Sequence, residues 1–172
     1  MTPRLAVIAS IAMLDLIFAI KFVHVLAVTV MFGTWLCLAI FMVLAHRSGN
    51  TSVVALTSRL VVTVELTVVA AAIVLQPISG IPLAYAIGLD PLHEFWIVNS
   101  SLIYVGIVGL WIAAVRTERR IRDFTREAAL EGKPLSGAYR RMFRLWCLLS
   151  VPIPIGMLVI YALMIWQPRF DG

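Results

Sequence analysis

Charge is scarce in this chain. Asp, Glu, Lys and Arg make up 13% of its 172 residues, about half the share of roughly 25% found in soluble domains. With 62% hydrophobic residues, that scarcity excludes an ordinary soluble fold and places the chain in a membrane. Cysteine is scarcer still: Cys37 and Cys147 stand alone, with no CxxC and no Cys/His group. A disulfide framework and a structural zinc site are excluded, and both thiols read as small buried hydrophobes. There is no HExxH, GxSxG, P-loop or GxGxxG, so the usual hydrolytic and nucleotide-binding sites lack their residues.

Apolar runs fill the space that charge leaves. Four spans are predicted, at 16–45, 52–77, 94–116 and 139–166, each near or above the roughly 20 residues that cross a bilayer. His46-Arg47-Ser48-Gly49-Asn50 ends the first, and Thr51 or Ser52 is the expected cap of the second. Gln76-Pro77, followed by Gly80 and Pro82, is expected to stop the second. The third is expected to run on in the 117–138 connection as a helix to about Glu131. Pro152 and Pro154 are expected to kink the fourth. The fold expected is all-α: a polytopic membrane protein, an antiparallel four-helix bundle in one domain, with a helical extension between helices 3 and 4. Residues 1–15 form an N-terminal extension that either lengthens the first helix or lies along the interface.

The net charge of +5 does not point to nucleic acid. Its arginines cluster between Arg116 and Arg144, among Glu118, Asp123, Glu127 and Glu131, and flank membrane spans as topology signals do. Arg47 and Arg59 flank the first connection in the same way. Both connections are therefore expected on the cytoplasmic side of a bacterial inner membrane, with both termini outside. Lys21 and Arg169 are the exceptions on the outer side. Trp96, Trp166 and Tyr85 are expected in the outer aromatic belt. Within the basic connection Glu118 can pair with Arg122 at i,i+4. That stretch reads as a solvated helix or as a platform for anionic lipid heads.

Polar groups inside the spans carry what function can be read. Ionisable side chains there cost about 2.5–3.5 kcal/mol each on insertion scales and face protein, water or a ligand. Lys21 and His24, three apart, share one helical face. His24 reads either as an axial ligand to a haem iron or as a hydrogen-bond partner of a neighbouring helix. Lys21 reads as a partner for an anionic group or as a snorkelling anchor. Gln76 is expected at the depth of His24, either binding a ligand or serving backbone freed by Pro77. Glu65 shares the face of Gln76 deeper in the helix. It reads as a proton carrier or counter-ion, or as an acid bonded to a neighbour. Asn99, Ser100, Ser101 and Tyr104 add a polar patch on helix 3, a candidate pocket wall. His93 is a weaker candidate ligand at the outer mouth, and His46 reads as interfacial. Gly33-Thr34, Gly106 and Gly109 are positions for close helix approach.

Lys21-x-x-His24, Gly33-Thr34, Arg47-Ser48-Gly49, Glu65, Leu75-Gln76-Pro77-x-x-Gly80, Trp111, Tyr139-Arg140-Arg141, Trp146, Leu163-Met164 and Pro168 stand in the order and spacing of a known group. The chain resembles domain-of-unknown-function family 2269 (DUF2269) of bacterial integral membrane proteins over residues 21–168. Glu65 stands where that family more often has aspartate, and Ile112 where proline often follows the tryptophan. A more distant likeness is to the four-helix bacterial protoporphyrinogen oxidase and copper-resistance D-type membrane proteins. Those carry an early intramembrane histidine, which in the oxidase is associated with haem. That likeness implies haem b at His24, with Lys21 beside it, in a redox protein. Two other functions stay open: a non-enzymatic accessory subunit or small-solute transporter component, and a subunit binding quinone between His24, Gln76 and Tyr104. Lipids, and a second copy of the chain or a larger complex, are the expected partners.

Overall fold

A bilayer offers backbone N–H and C=O groups no partners, so apolar runs of this length satisfy them internally as helices. The computed structural model describes residues 3–168 and folds them into four antiparallel rods. The first is α1 (Pro3–Ser48), unbroken through Asp15 and Lys21. The N-terminal extension therefore lengthens the first helix. Gly49, at φ +65°, turns the chain into α2 (Thr51–Val64). Its cap is Asn50 rather than Thr51 or Ser52: the Asn50 carboxamide oxygen accepts from the Ser52 and Val53 amides at 2.9 and 3.2 Å.

The second rod corrects the expected stop at Pro77. After α2 comes one π-helical turn at Glu65–Val69, and then α3 (Ala70–Ala86) with Pro77 and Pro82 inside it. Proline costs a helix the bond from its own nitrogen to the carbonyl four residues back, here that of Ile73. The Tyr104 hydroxyl of the third rod donates to that carbonyl at 2.5 Å. The orphaned acceptor is satisfied from outside and the helix continues. It ends at Gly88 instead, at φ +80°, where the Leu89 amide reaches back to the Ala84 carbonyl at 2.9 Å, a glycine-type helix end.

The third rod is α4 (Phe95–Leu130), a single helix that includes the expected extension. The fourth is α5 (Gly137–Ser150), capped by Ser136, and α6 (Pro152–Trp166), separated at Val151 where the prolines predict a kink. Four described helices are long and apolar enough to cross a membrane, and they form the expected four-helix membrane bundle. One end, with the 49–50 and 131–136 connections and most arginines, is the basic end; the 87–94 loop marks the opposite end.

Rod 1 packs on rod 2, rod 2 on rod 3 and rod 3 on rod 4. Rods 1 and 4 meet through side chains: the His46 ring stacks on Phe143 at 3.8 Å, and Phe32 stands edge-on to Tyr161. Trp35, Met42, Val61, Ile107, Ile121, Tyr139 and Met157 fill the interior, while Phe22, Leu60, Leu102 and Leu148 point outward, as lipid-facing side chains do. Several sequence expectations change here. Cys37 is exposed rather than buried. Trp96 is buried in the bundle rather than standing in an aromatic belt, while Tyr85 and Trp166 are exposed. Gly33, Gly106 and Gly109 have open space where a Cβ would go; close approach occurs at Gly80, against His24, and at Gly156, against Ile107.

Candidate functional site

The bundle holds two polar tiers. In the tier nearer the basic end Glu65 is 1% exposed, and Trp111 donates its indole N–H to Oε2 at 2.6 Å. Glu65 opens the π turn, and π turns inside α-helices recur at functional sites. Seven residues after Trp111, on the same face of α4, Glu118 is also buried. Trp146 donates to its Oε1 at 2.6 Å, and Oε2 has no partner. The two carboxyl groups lie on rods 2 and 3, which pack together. Neither meets a cation: the ion pairs among the described residues are His93–Asp90, Arg122–Asp123 and Lys133–Glu131. The expected Glu118–Arg122 pair does not form, because Arg122 turns to Asp123 while Glu118 turns inward.

The second tier lies about 36–39 Å from the basic ends of the rods at 1.5 Å per residue, against about 18–21 Å for the glutamates. Here His24 Nδ1 is 2.9 Å from the Ser79 hydroxyl. That hydroxyl gives its single hydrogen to the Leu75 carbonyl at 2.7 Å. With that hydrogen on the carbonyl, Nδ1 is the donor and Nε2 carries the lone pair. The ring fits against Gly80 so closely that an added Cβ would stand 2.9 Å from its Cε1. Gln76, also buried, donates to the His24 carbonyl at 3.3 Å. Gln76 thus serves rod 1 backbone, while the carbonyl freed by Pro77 is served by Tyr104.

An apolar layer separates the tiers. Met31, Trp35, Val69, Ile73, Ile107, Trp111, Ile153 and Met157 surround a void of about 10 Å³, room for one water at most. The Trp111 N–H is turned away to Glu65.

A haem at His24 needs a lone pair aimed outward and space for a porphyrin. The first is met by the Nδ1–Ser79 bond, the kind of outer contact that orients metal-ligating imidazoles. The second is not met within one chain. Gly80 closes one face of the ring, and neither the internal void nor the surface groove along Ala39, Ile40, Val43, Leu44 and Arg47 touches it. His46 is spent on Tyr139 at the basic end, and His93 on Asp90 in the exposed loop. No group of three His, Cys, Asp or Glu side chains gathers among the described residues.

Of the sequence candidates, His24 and Gln76 come together, Tyr104 lies one helix away on Ile73, and Lys21 is exposed. Glu65 stands apart in the other tier. Of the polar patch, Asn99 bonds its own helix at Phe95, and Ser100 is buried with no hydrogen-bond partner. Arg169 lies outside the described residues. Sequence reasoning missed Glu118, hidden in a run of arginines. Its heptad spacing from Trp111 was the available signal.

The family model of DUF2269, described as a predicted integral membrane protein, matches residues 18–168. No curated protein and no solved structure matches the chain.

Proposed function

The chain belongs to that family of integral membrane proteins, and we propose that it handles protons within the bilayer as a component of a small-solute transporter. Glu65 is the residue that takes up and releases the proton. The observation that carries this reading is its surroundings: a carboxyl group 1% exposed, held by one neutral donor, Trp111, with no cation bonded to it. Intramembrane carboxyls mark the proton relays of pumps and transporters. Glu65 lies about 9 Å further along its rod than Arg59, at 1.5 Å per residue. The apolar layer beyond it favours exchange with the basic end. By the positive-inside rule that end is assigned to the cytoplasm of a bacterial inner membrane.

Proteoliposomes containing a pH-reporting dye test this. Under an imposed membrane potential, the wild-type protein is expected to pass protons faster than empty vesicles, and Glu65→Gln to fall to the empty level. Equal flux in wild type and variant overturns the assignment.

A second reading keeps His24 as a haem b ligand in a redox protein, and it requires a second copy of the chain to enclose the porphyrin. It is supported by the Nδ1–Ser79 bond, which leaves Nε2 as the ligating nitrogen. Protein purified in mild detergent with haem supplied is then expected to show a Soret band that His24→Ala abolishes. Haem-replete protein without that band rejects it. The quinone reading has less support, because Gln76 and Tyr104 are spent on backbone carbonyls.

A further inference from the structure

The unpartnered Oε2 of Glu118 is not alone. Ser150, 4% exposed, has a hydroxyl with no hydrogen-bond partner. It lies one turn beyond Trp146 on the same face of the fourth rod, and Trp146 is the residue whose indole clasps Glu118. Counted from the basic ends of their rods at 1.5 Å per residue, Glu118 and Ser150 stand at about 18 and 20 Å, on one level.

Ser150 is also the last residue of α5, and Val151 carries the helical backbone on into α6. Two prolines nevertheless open the hydrogen-bond ladder here. Pro152 has no N–H for the Leu148 carbonyl, and Pro154 has none for that of Ser150. Backbone carbonyls without helical donors coordinate Na⁺ at membrane depth in transporters.

The chemistry left without donors or partners at this level is all oxygen: Glu118 Oε2, the Ser150 hydroxyl and the proline-freed carbonyls. Oxygen ligands select hard cations. One carboxylate among neutral oxygens balances a single positive charge. The neighbouring basic side chains do not compete, since Arg116, Arg119, Arg120 and Arg144 are exposed and Arg122 pairs with Asp123.

We propose that Glu118, Ser150 and the carbonyls freed by Pro152 and Pro154 form a binding site for a dehydrated alkali-metal cation such as Na⁺. The site is distinct from Glu65, and its existence does not depend on proton carriage there.

Thermal unfolding of the purified full-length protein in detergent tests it, followed by tryptophan fluorescence because Trp146 touches Glu118. NaCl, KCl and choline chloride are compared at equal ionic strength. Binding to the folded state raises the midpoint with the logarithm of cation concentration once the site is saturated. Na⁺ or K⁺ is expected to raise it above choline. Ser150→Ala, which removes one oxygen and little volume, is expected to weaken the response, and Glu118→Gln to abolish it. Glu65→Gln is expected to keep a response to Na⁺ or K⁺, whatever its proton flux. Equal midpoints in all three salts, or a full response in both Ser150→Ala and Glu118→Gln, overturn the proposal. Should Glu118→Gln fail to fold, the wild-type salt comparison and Ser150→Ala decide.

Discussion

The Tyr104 hydroxyl donates to the Ile73 carbonyl at 2.5 Å, the acceptor that Pro77 leaves without a helical donor. A residue on one rod thus repairs the hydrogen-bond ladder of another. It holds rods 2 and 3 together at the tier that contains His24.

Removing that hydroxyl exposes the deficit. Tyr104→Phe is expected to cost about 1–3 kcal/mol, the range for a buried group left unpaired. Pro77→Ala returns an amide donor to the same carbonyl, so the loss from Tyr104→Phe is expected to shrink in that background. A double-mutant cycle of reversible unfolding in detergent measures the coupling. Additive losses in the cycle contradict the repair.

Gly80 makes room for the His24 ring, and a methyl group there would press on Cε1 at 2.9 Å. Gly80→Ala is expected to destabilise by about 1–3 kcal/mol, as overpacking does. His24→Ala removes the obstacle, so the double variant is expected to recover part of the loss. Unfolding midpoints of the three variants show whether the clash exists.

Trp111 gives Glu65 its hydrogen bond. Trp111→Phe leaves the carboxyl without a partner, at an expected cost of about 1–3 kcal/mol. In a Glu65→Leu background the same substitution has no buried acceptor to strand, and the cost is expected to fall. If Trp111→Phe costs the same in both backgrounds, the tryptophan acts by packing alone.

In the 87–94 loop the Leu92 amide, and then the His93 side chain, hold the Asp90 carboxyl below the usual aspartate range. A lowered value in the folded loop means that the loop is stabilised above the unfolded value of about 3.9. The gain is lost as pH falls through the lower, folded value. The thermal midpoints of wild type and Asp90→Asn are therefore expected to differ at neutral pH and to converge as the acid protonates. The group is fully exposed, so the difference should be small and local to the loop. A gap that persists at the acid limit assigns the effect to something other than this carboxylate.

Much of the architecture was legible because hydrophobic runs and proline positions report directly on helices. The interrupted hydrogen-bond ladder at Val151 follows from Pro152 and Pro154, and the helical extension of rod 3 ends near the Gly132 that terminates it. The passage through Pro77 was not legible, because the donor that permits it comes from Tyr104, more than two dozen residues away. The caps differ by one residue for a similar reason: Asn50 wins over Thr51 and Ser52 through geometry that spacing does not specify. In the candidate site, His24, Gln76 and Glu65 stood out as polar groups among apolar ones. Glu118 did not, since arginines around it made a solvated face the natural reading. Its burial is decided by the partner Trp146 on another rod. Several residues that carry the family resemblance, Glu65, Trp111, Gln76, Gly80, Tyr139 and Trp146, make the contacts between rods.

Infrared spectroscopy of the protein in lipid, titrated with pH, tests the role of Glu65 most directly. The account predicts a protonated-carboxyl band that changes with pH, disappears in Glu65→Gln and survives in Glu118→Gln. A Glu65→Gln spectrum identical to wild type across the titration would contradict it.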